Sequence, residues 1–269
     1  MGTKINNLRQ QIPSDGVMIT SWLEKTGFNR SEVYDYMKSG WLQRISTGVY
    51  KFTGDTPTLY GILASYQKQV DLKYHIGAAS ALELKGFSHY ITMGKPTAVV
   101  FSPVRPPLPK WLNHTELDMT LAEVSSKVLG TAGIEQLDYQ GQSLTVSSPE
   151  RAIMECILLS PSHYDLMDVY YLMEMLTSLR ASLVQQLLEE CTSVKVKRMF
   201  LYMSEKSRHR WFAKLDFSRI TLGSGTRSYA KGGVKINAYD IVIPKELADY
   251  ERYIQTKSRT SVENITLCG

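Results

Sequence analysis

The residues able to do chemistry gather in two stretches. The first holds Asn29, Arg30, Ser31, Tyr34 and Lys38, followed closely by Arg44, Ser46, Thr47 and Lys51. An arginine near the front of a helix can grip guanine with two parallel hydrogen bonds, Ser31 and Tyr34 suit phosphate or base edges, and Lys38 suits phosphate. Arg44, Ser46, Thr47 and Lys51 suit a nucleic-acid backbone or minor groove. Glu32 and Asp35 weaken such a face, and a module of this kind can also dock proteins. The second stretch holds Lys195, Lys197, Arg198, Lys206, Arg208, Arg210, Lys214, Arg219, Arg227, Lys231 and Lys235, interleaved with Phe200, Tyr202, Trp211, Phe212 and Tyr229. Between 195 and 235 eleven Lys/Arg stand against Glu205 and Asp216, a net +9, which suits nucleic acid or an acidic protein. Helical spacing places Phe200 and Trp211 in a core rather than on a binding face.

Other chemistries find little support. His75, His89, His114, His163 and His209 are scattered without an HxxxH or HExxH pair, and Cys156, Cys191 and Cys268 form no CxxC. No metal site, no disulfide framework and no cofactor are expected. Gly223-Ser-Gly225 and Lys231-Gly-Gly233 can form phosphate nests, but they match neither the Walker nor the dinucleotide spacing, so turns are the better reading. No convincing catalytic set emerges among the carboxylates, and the chain reads as non-enzymatic.

The elements that must carry the first stretch are legible. Ile5, Leu8 and Ile12 recur at helical spacing before the turn Pro13-Ser14-Asp15-Gly16. Thr20 suits the cap of a second helix ending at Gly27, and Asn29 or Ser31 caps a third, with Val33, Tyr36, Met37 and Trp41 as its inward stripe and Gly40 as its stop. Residues 42–45 and 49–52 form a hairpin around Ser46-Thr47-Gly48. This is the order of a winged helix-turn-helix. Helices over 57–70 and 77–85 brace it, and a domain boundary is placed near Pro96.

Beyond that boundary come a strand at 97–101, a proline-rich turn, and strands near 114–123, 133–139 and 143–147. Ser148-Pro149-Glu150 then opens a helix, followed by helices near 165–176, 179–191 and 194–207. Strands at 219–222, 226–230, 234–236 and 239–243 suggest a terminal antiparallel sheet, and the residues after Ile254 a loose tail. The predicted class is α+β, a winged helix-turn-helix followed by a larger mixed α/β domain over 97–269. With 269 residues, 43% of them hydrophobic, and a net charge of +5, the composition is that of a globular protein. It has no bilayer-length apolar run, and the opening residues lack the core of a secretory signal, so a cytoplasmic location without membrane contact is expected.

Several strings in this order carry a family likeness. They are Gly48-Val-Tyr50 in the hairpin, Ser148-Pro-Glu-Arg-Ala152, Val196-Lys-Arg-Met-Phe-Leu-Tyr202, Leu222-Gly-Ser-Gly225 after Asp216, and Lys231-Gly-Gly-Val234. Across roughly 3–247 the chain resembles the AbiEi antitoxins of abortive-infection toxin–antitoxin systems. The resemblance implies a repressor of its own operon that binds promoter inverted repeats, as a monomer in solution that binds DNA cooperatively. It implies a carboxy-terminal domain that counters a nucleotidyltransferase-like AbiEii toxin without a stable complex. Arg30, Lys38, Arg44 and Lys51 then take DNA-contact roles, and Glu150, Arg151, Lys197, Arg198, Arg227 and Lys231 match the later motifs. Together with Lys195, Lys206, Arg208 and Arg210 these form the expected antitoxin surface. The competing readings are an RNA-binding or RNA-processing protein using that basic half, and a winged-helix regulator that senses a small ligand.

Overall fold

The structure, a computed structural model, describes residues 2–88, 94–102, 108–113 and 115–250. His89, His114, Cys268, most of the proline-rich turn and the expected tail lie outside these residues. Helix α1 (Gly2–Gln11) buries Ile5 and Leu8, and Ile12 follows on the same face. Strand β1 (Met18–Ile19) leads into α2 (Thr20–Lys25), then α3 (Arg30–Lys38) and the hairpin β2 (Leu42–Ser46) and β3 (Val49–Phe52). The three strands pair antiparallel in the order β1-β3-β2. Met18, Leu23, Phe28, Val33, Tyr36, Leu42 and Phe52 join the α1 residues in one core, each contributing about 1.5–3 kcal/mol by leaving water. The order and pairing are those of a winged helix-turn-helix.

Two local expectations fail here for definable reasons. Thr20 does not cap α2. Its N–H donates to the Gly48 carbonyl at 2.9 Å, so the cap position falls on Ile19 at the end of β1. Trp41 leaves the α3 stripe and is 51% exposed, because Gly40 takes a φ of +79° and turns the chain off the helix axis.

The larger part is built on a five-stranded mixed sheet. It comprises β4 (His75–Ile76), β5 (Thr97–Phe101), β6 (Thr120–Val124), β7 (Ile134–Tyr139) and β8 (Gln142–Ser147), in the order β6-β5-β4-β8-β7. Alternation along β5 divides its side chains between two cores. Ala98 and Val100 face α4 (Leu59–Val70), whereas Val99 and Phe101 face α5 (Ala78–Leu84) and a helical layer. That layer is α6 (Pro149–Leu159), α7 (Leu166–Met175), α8 (Ala181–Glu190) and α9 (Val194–Lys206). Ser148 caps α6 and Pro149 opens it, as its position in sequence demands.

Helix α4 joins the two parts. The Gln69 amide donates to the Val17 carbonyl at 2.6 Å and accepts from the Ile19 N–H at 2.9 Å, completing the free edge of β1, while Ser65 accepts from the Val17 N–H at 3.1 Å. Helix α5 packs on α6, and β4 lies inside the central sheet. Helix α4 thus shares one core with Val17 and Val49 of the amino-terminal module and also packs on β8, and α5 packs on β5, so both bracing helices contact the central sheet.

After α9 the expected strand at 219–222 is absent, and Phe217–Arg219 forms a single 3-10 turn instead. A small sheet follows from β9 (Arg227–Ser228), β10 (Val234–Ile236) and β11 (Ile241–Ile243) in the order β10-β11-β9, with β9 and β11 parallel rather than antiparallel. A Cβ on Gly233 would lie 2.1 Å from the Ile243 carbonyl oxygen. That close backbone approach explains the glycine in Lys231-Gly-Gly233 without a ligand. A short helix α10 (Lys245–Asp249), not expected from the sequence, closes the described chain.

Candidate nucleic-acid interface

Helix α3 is fixed at its start by reciprocal hydrogen bonds. Asn29 Oδ1 accepts from the Glu32 N–H at 2.9 Å, and Glu32 Oε2 accepts from the Asn29 N–H at 2.8 Å. Glu32 also receives Lys4 from α1. The Lys4 hydrogen bond first, and then that of the Asn29 N–H, hold the Glu32 carboxyl below its ordinary value. Its charge is thus committed to the scaffold and does not oppose an anion in front of α3. Asn29 serves as the cap. Asn29→Ala is expected to lower stability by about 1 kcal/mol in urea denaturation; an unchanged midpoint would show that the capping box holds nothing.

With Val33 and Tyr36 turned inward, Arg30, Ser31, Tyr34, Asp35 and Lys38 remain exposed, Tyr34 at 61%. Arg30 Nε donates to Glu24 Oε1 at 3.1 Å, a solvent-screened pair that can be exchanged for a ligand at little cost. In the hairpin, Arg44 Nε donates to the Ser46 carbonyl at 3.2 Å and its terminal nitrogen to Thr47 Oγ1 at 3.0 Å. A register shift between Arg44 and Ser46 marks an irregularity in the wing. Gly48, with φ +74°, sits against Thr20, which pins the wing tip to the start of α2.

These elements enclose an open cleft of about 330 Å³ between α3 and the wing, lined among others by Asn29, Arg30, Tyr34, Arg44, Thr47 and Tyr50. Ser31 and Lys38 lie outside that lining, on the exposed surface of α3. Lys51 requires a correction. Register pairs Arg44 with Tyr50 and Gln43 with Lys51, so alternation sends Lys51 to the other face of the hairpin, where its Nζ donates to the Asp55 carbonyl at 2.8 Å. Tyr50, which sequence reasoning left out of the site, takes its place. Counting in steps of two from Arg44 across the Ser46-Thr47-Gly48 turn is the signal that finds it.

The second cationic set does not form one surface. Glu150, Arg151, Lys197 and Arg198 are buried, with exposures of 2–5%. Glu150 accepts from the Arg180 N–H and guanidinium at 2.9–3.0 Å. Arg151 donates to Glu155 at 2.7 Å and to the Leu129, Gly130 and Ala132 carbonyls. Lys197 donates to the Thr221 carbonyl, and Arg198 to those of Leu222, Gly223, Gly225 and Asp240. These four residues hold the fold together and are not surface contacts. Tyr202 and Tyr229 are also buried, as are Phe200 and Trp211, so none of these rings offers a face to a base.

Arg208, Arg210 and Lys231 are exposed, and Lys195 and Arg227 half-exposed. Lys195 lies over the Tyr229 ring at 4.3 Å, and Lys206 donates to the Ala248 carbonyl at 3.2 Å. A buried serine, histidine and glutamate do meet, with Ser147 Oγ donating to Glu155 and His75 Nε2 within 2.9 Å of it. The carboxylate stands between the other two, so the histidine has no hydroxyl to activate. Among the described residues no group of three His, Cys, Asp or Glu is placed to hold a metal ion, and no helix is long and apolar enough to cross a membrane.

Comparison with known proteins accounts for both parts. Residues 1–93 match a family model described as a transcriptional regulator, the AbiEi antitoxin N-terminal domain. Residues 95–244 match one described as a transcriptional regulator, AbiEi antitoxin, type IV TA system. Among solved structures the fold is similar to the RV2827C protein of Mycobacterium tuberculosis, with a TM-score of 0.61 at 14% identity, covering 88% of this chain and 89% of that one. Among proteins with curated descriptions none matches this chain. With both of its parts matched, the chain belongs to the AbiEi antitoxin family of transcriptional regulators in type IV toxin–antitoxin systems.

Proposed function

We propose that the protein binds double-stranded DNA at inverted repeats of its own promoter, with α3 in the major groove and the wing on the flanking backbone. The carrying observation is that Arg30 and Tyr34 from α3 share one open cleft with Arg44 and Thr47 from the wing. Helix, loop and hairpin are each tied to a packed core, so the cations are held apart at fixed spacing rather than on a mobile arm. In this reading the protein acts in the cytoplasm by binding and not by catalysis, needs no cofactor, and reaches its operator as a monomer that binds cooperatively. It opposes a nucleotidyltransferase-like toxin through the larger domain. The cations available for that task are the accessible ones, Lys195, Arg208, Arg210, Arg227 and Lys231, and direct contact with the toxin is not required by the reading.

Band-shift titration of promoter DNA tests the interface. Arg30→Ala and Arg44→Ala are each expected to weaken operator binding by about 1–3 kcal/mol, and Lys38→Ala to reduce the slope of log affinity against log salt by about one. Lys51→Ala, on the far face, is expected to bind as the parent does. Undiminished binding by Arg30→Ala and Arg44→Ala, with an unchanged salt slope for Lys38→Ala, would place the DNA surface elsewhere.

A further inference from the structure

We infer that the loop 222–226, Leu-Gly-Ser-Gly-Thr, is a binding site for a phosphate group on the carboxy-terminal domain. Gly223 and Gly225 have φ of +61° and +77°, while Leu222, Ser224 and Thr226 between and beside them are not left-handed. Glycines in the left-handed region at alternate positions let successive backbone N–H groups of such a turn line one concavity, as in a nest for an anion. None of the N–H groups of Gly223, Ser224, Gly225 or Thr226 donates to a protein acceptor among the described residues. The carbonyls, by contrast, are taken up from beneath. Arg198 binds those of Leu222, Gly223 and Gly225 at 2.7–3.1 Å, and Lys197 that of Thr221 at 3.2 Å.

Electrostatics points the same way, independently of the loop's shape. Lys197 and Arg198 are two positive charges, each 5% exposed or less. The acid beside Arg198 is Asp240, whose Oδ2 is 3.6 Å from it and whose carboxylate is shared with Lys235 at 3.2 Å and with the Thr226 hydroxyl, and Lys197 is in no ion pair among the described residues. One shared carboxylate leaves a surplus of positive charge directly under the exposed amides, an arrangement that costs stability unless an anion offsets it. The start of α9 adds to the surplus, since Val194 Cγ2 lies 3.0 Å from the place of a Cβ on Gly223. Arg227 lies along the loop, donating to the Gly225 carbonyl at 3.1 Å. The neighbouring aromatic ring, Tyr229, is buried with Lys195 over its face, so the site is built for phosphate and not for a base.

The test is a nuclear magnetic resonance titration of the nitrogen-15-labelled full chain with inorganic phosphate, at constant ionic strength maintained with chloride. The amides of Gly223 to Thr226 are expected to shift saturably and more than those of exposed Arg208 and Arg210. Ser224→Glu, an exposed position that places a carboxylate in the nest, is expected to weaken phosphate binding by about tenfold or more; Ser224→Ala is expected to retain it. ATP and a short single-stranded RNA, added in parallel, identify the source of the phosphate by which one shifts the same amides at lower concentration. Shifts spread evenly over the basic residues, or a Ser224→Glu variant that binds as the parent does, would overturn the inference. Operator binding through α3 plays no part in this readout, so neither result depends on the other.

Discussion

Glu155→Ala is expected to destabilise the protein by about 3–5 kcal/mol, a large share of the roughly 5–15 kcal/mol by which most domains are stable. Glu155 is fully buried at the junction of the central sheet and the helical layer. It accepts from the Ala78 N–H at 2.9 Å, the Ser147 hydroxyl at 2.8 Å and Arg151 Nε at 2.7 Å, and meets His75 Nε2 at 2.9 Å. Alanine removes the acceptor and leaves a guanidinium and an imidazole buried without it, a loss distinct from the mere deletion of one ion pair. Burial by itself pushes this carboxyl upward, but the His75 hydrogen bond and the charges of His75 and Arg151 outweigh it and hold the group below its ordinary value of 4.5. A carboxyl depressed in the folded state contributes stability above the unfolded value, and that contribution is lost as pH falls through the folded one. Urea midpoints should therefore fall as the medium is acidified below about pH 4.5, and Glu155→Gln should flatten that acid limb. A parent-like midpoint for Glu155→Ala at neutral pH would remove the network from any stabilising role.

Arg198→Ala is expected to cost about as much, 3–5 kcal/mol, because a single guanidinium closes four carbonyls from the loop and from Asp240. Deleting it also leaves the loop 221–226 tied to α9 only through Lys197 and Thr221, and loosens the small sheet of β9, β10 and β11. The exposed Arg210→Ala should change stability by no more than about 0.5 kcal/mol. Chemical denaturation of the two variants side by side checks the contrast, and equal midpoints would show Arg198 to be an ordinary surface cation. The contrast also bears on antitoxicity. Under the proposed antitoxic role, lost rescue on neutralising buried Lys197 or Arg198 would report a destabilised domain as well as any lost contact, so Lys195, Arg208, Arg210, Arg227 and Lys231 are the positions to assay.

The sequence by itself determined the first fifty residues nearly element by element. Local rules suffice there: Asn29 three residues before Glu32 makes a capping box, Gly27 and Gly40 stop helices, and a two-period hairpin turns at Gly48. Even within this module it misjudged what depends on neighbours, with Thr20 diverted by the Gly48 carbonyl and Lys51 sent to the far face by register. Helices α6 to α9 were legible for the same reason, since their apolar residues recur at helical spacing and Ser148 announces its helix.

Only the tertiary structure decided which charges are available. Arginines 198 and 208 are alike in a charge count, yet one is enclosed by carbonyl groups 24 to 42 residues away along the chain and the other faces solvent. The two-residue strand β4 and the Glu155 cluster were illegible for a related reason, because their partners, Val146 and His75, lie 70 to 80 residues distant. Hydrogen bonds within a turn of helix are written in short spacings, whereas burial of a charge is a property of what the whole chain brings around it.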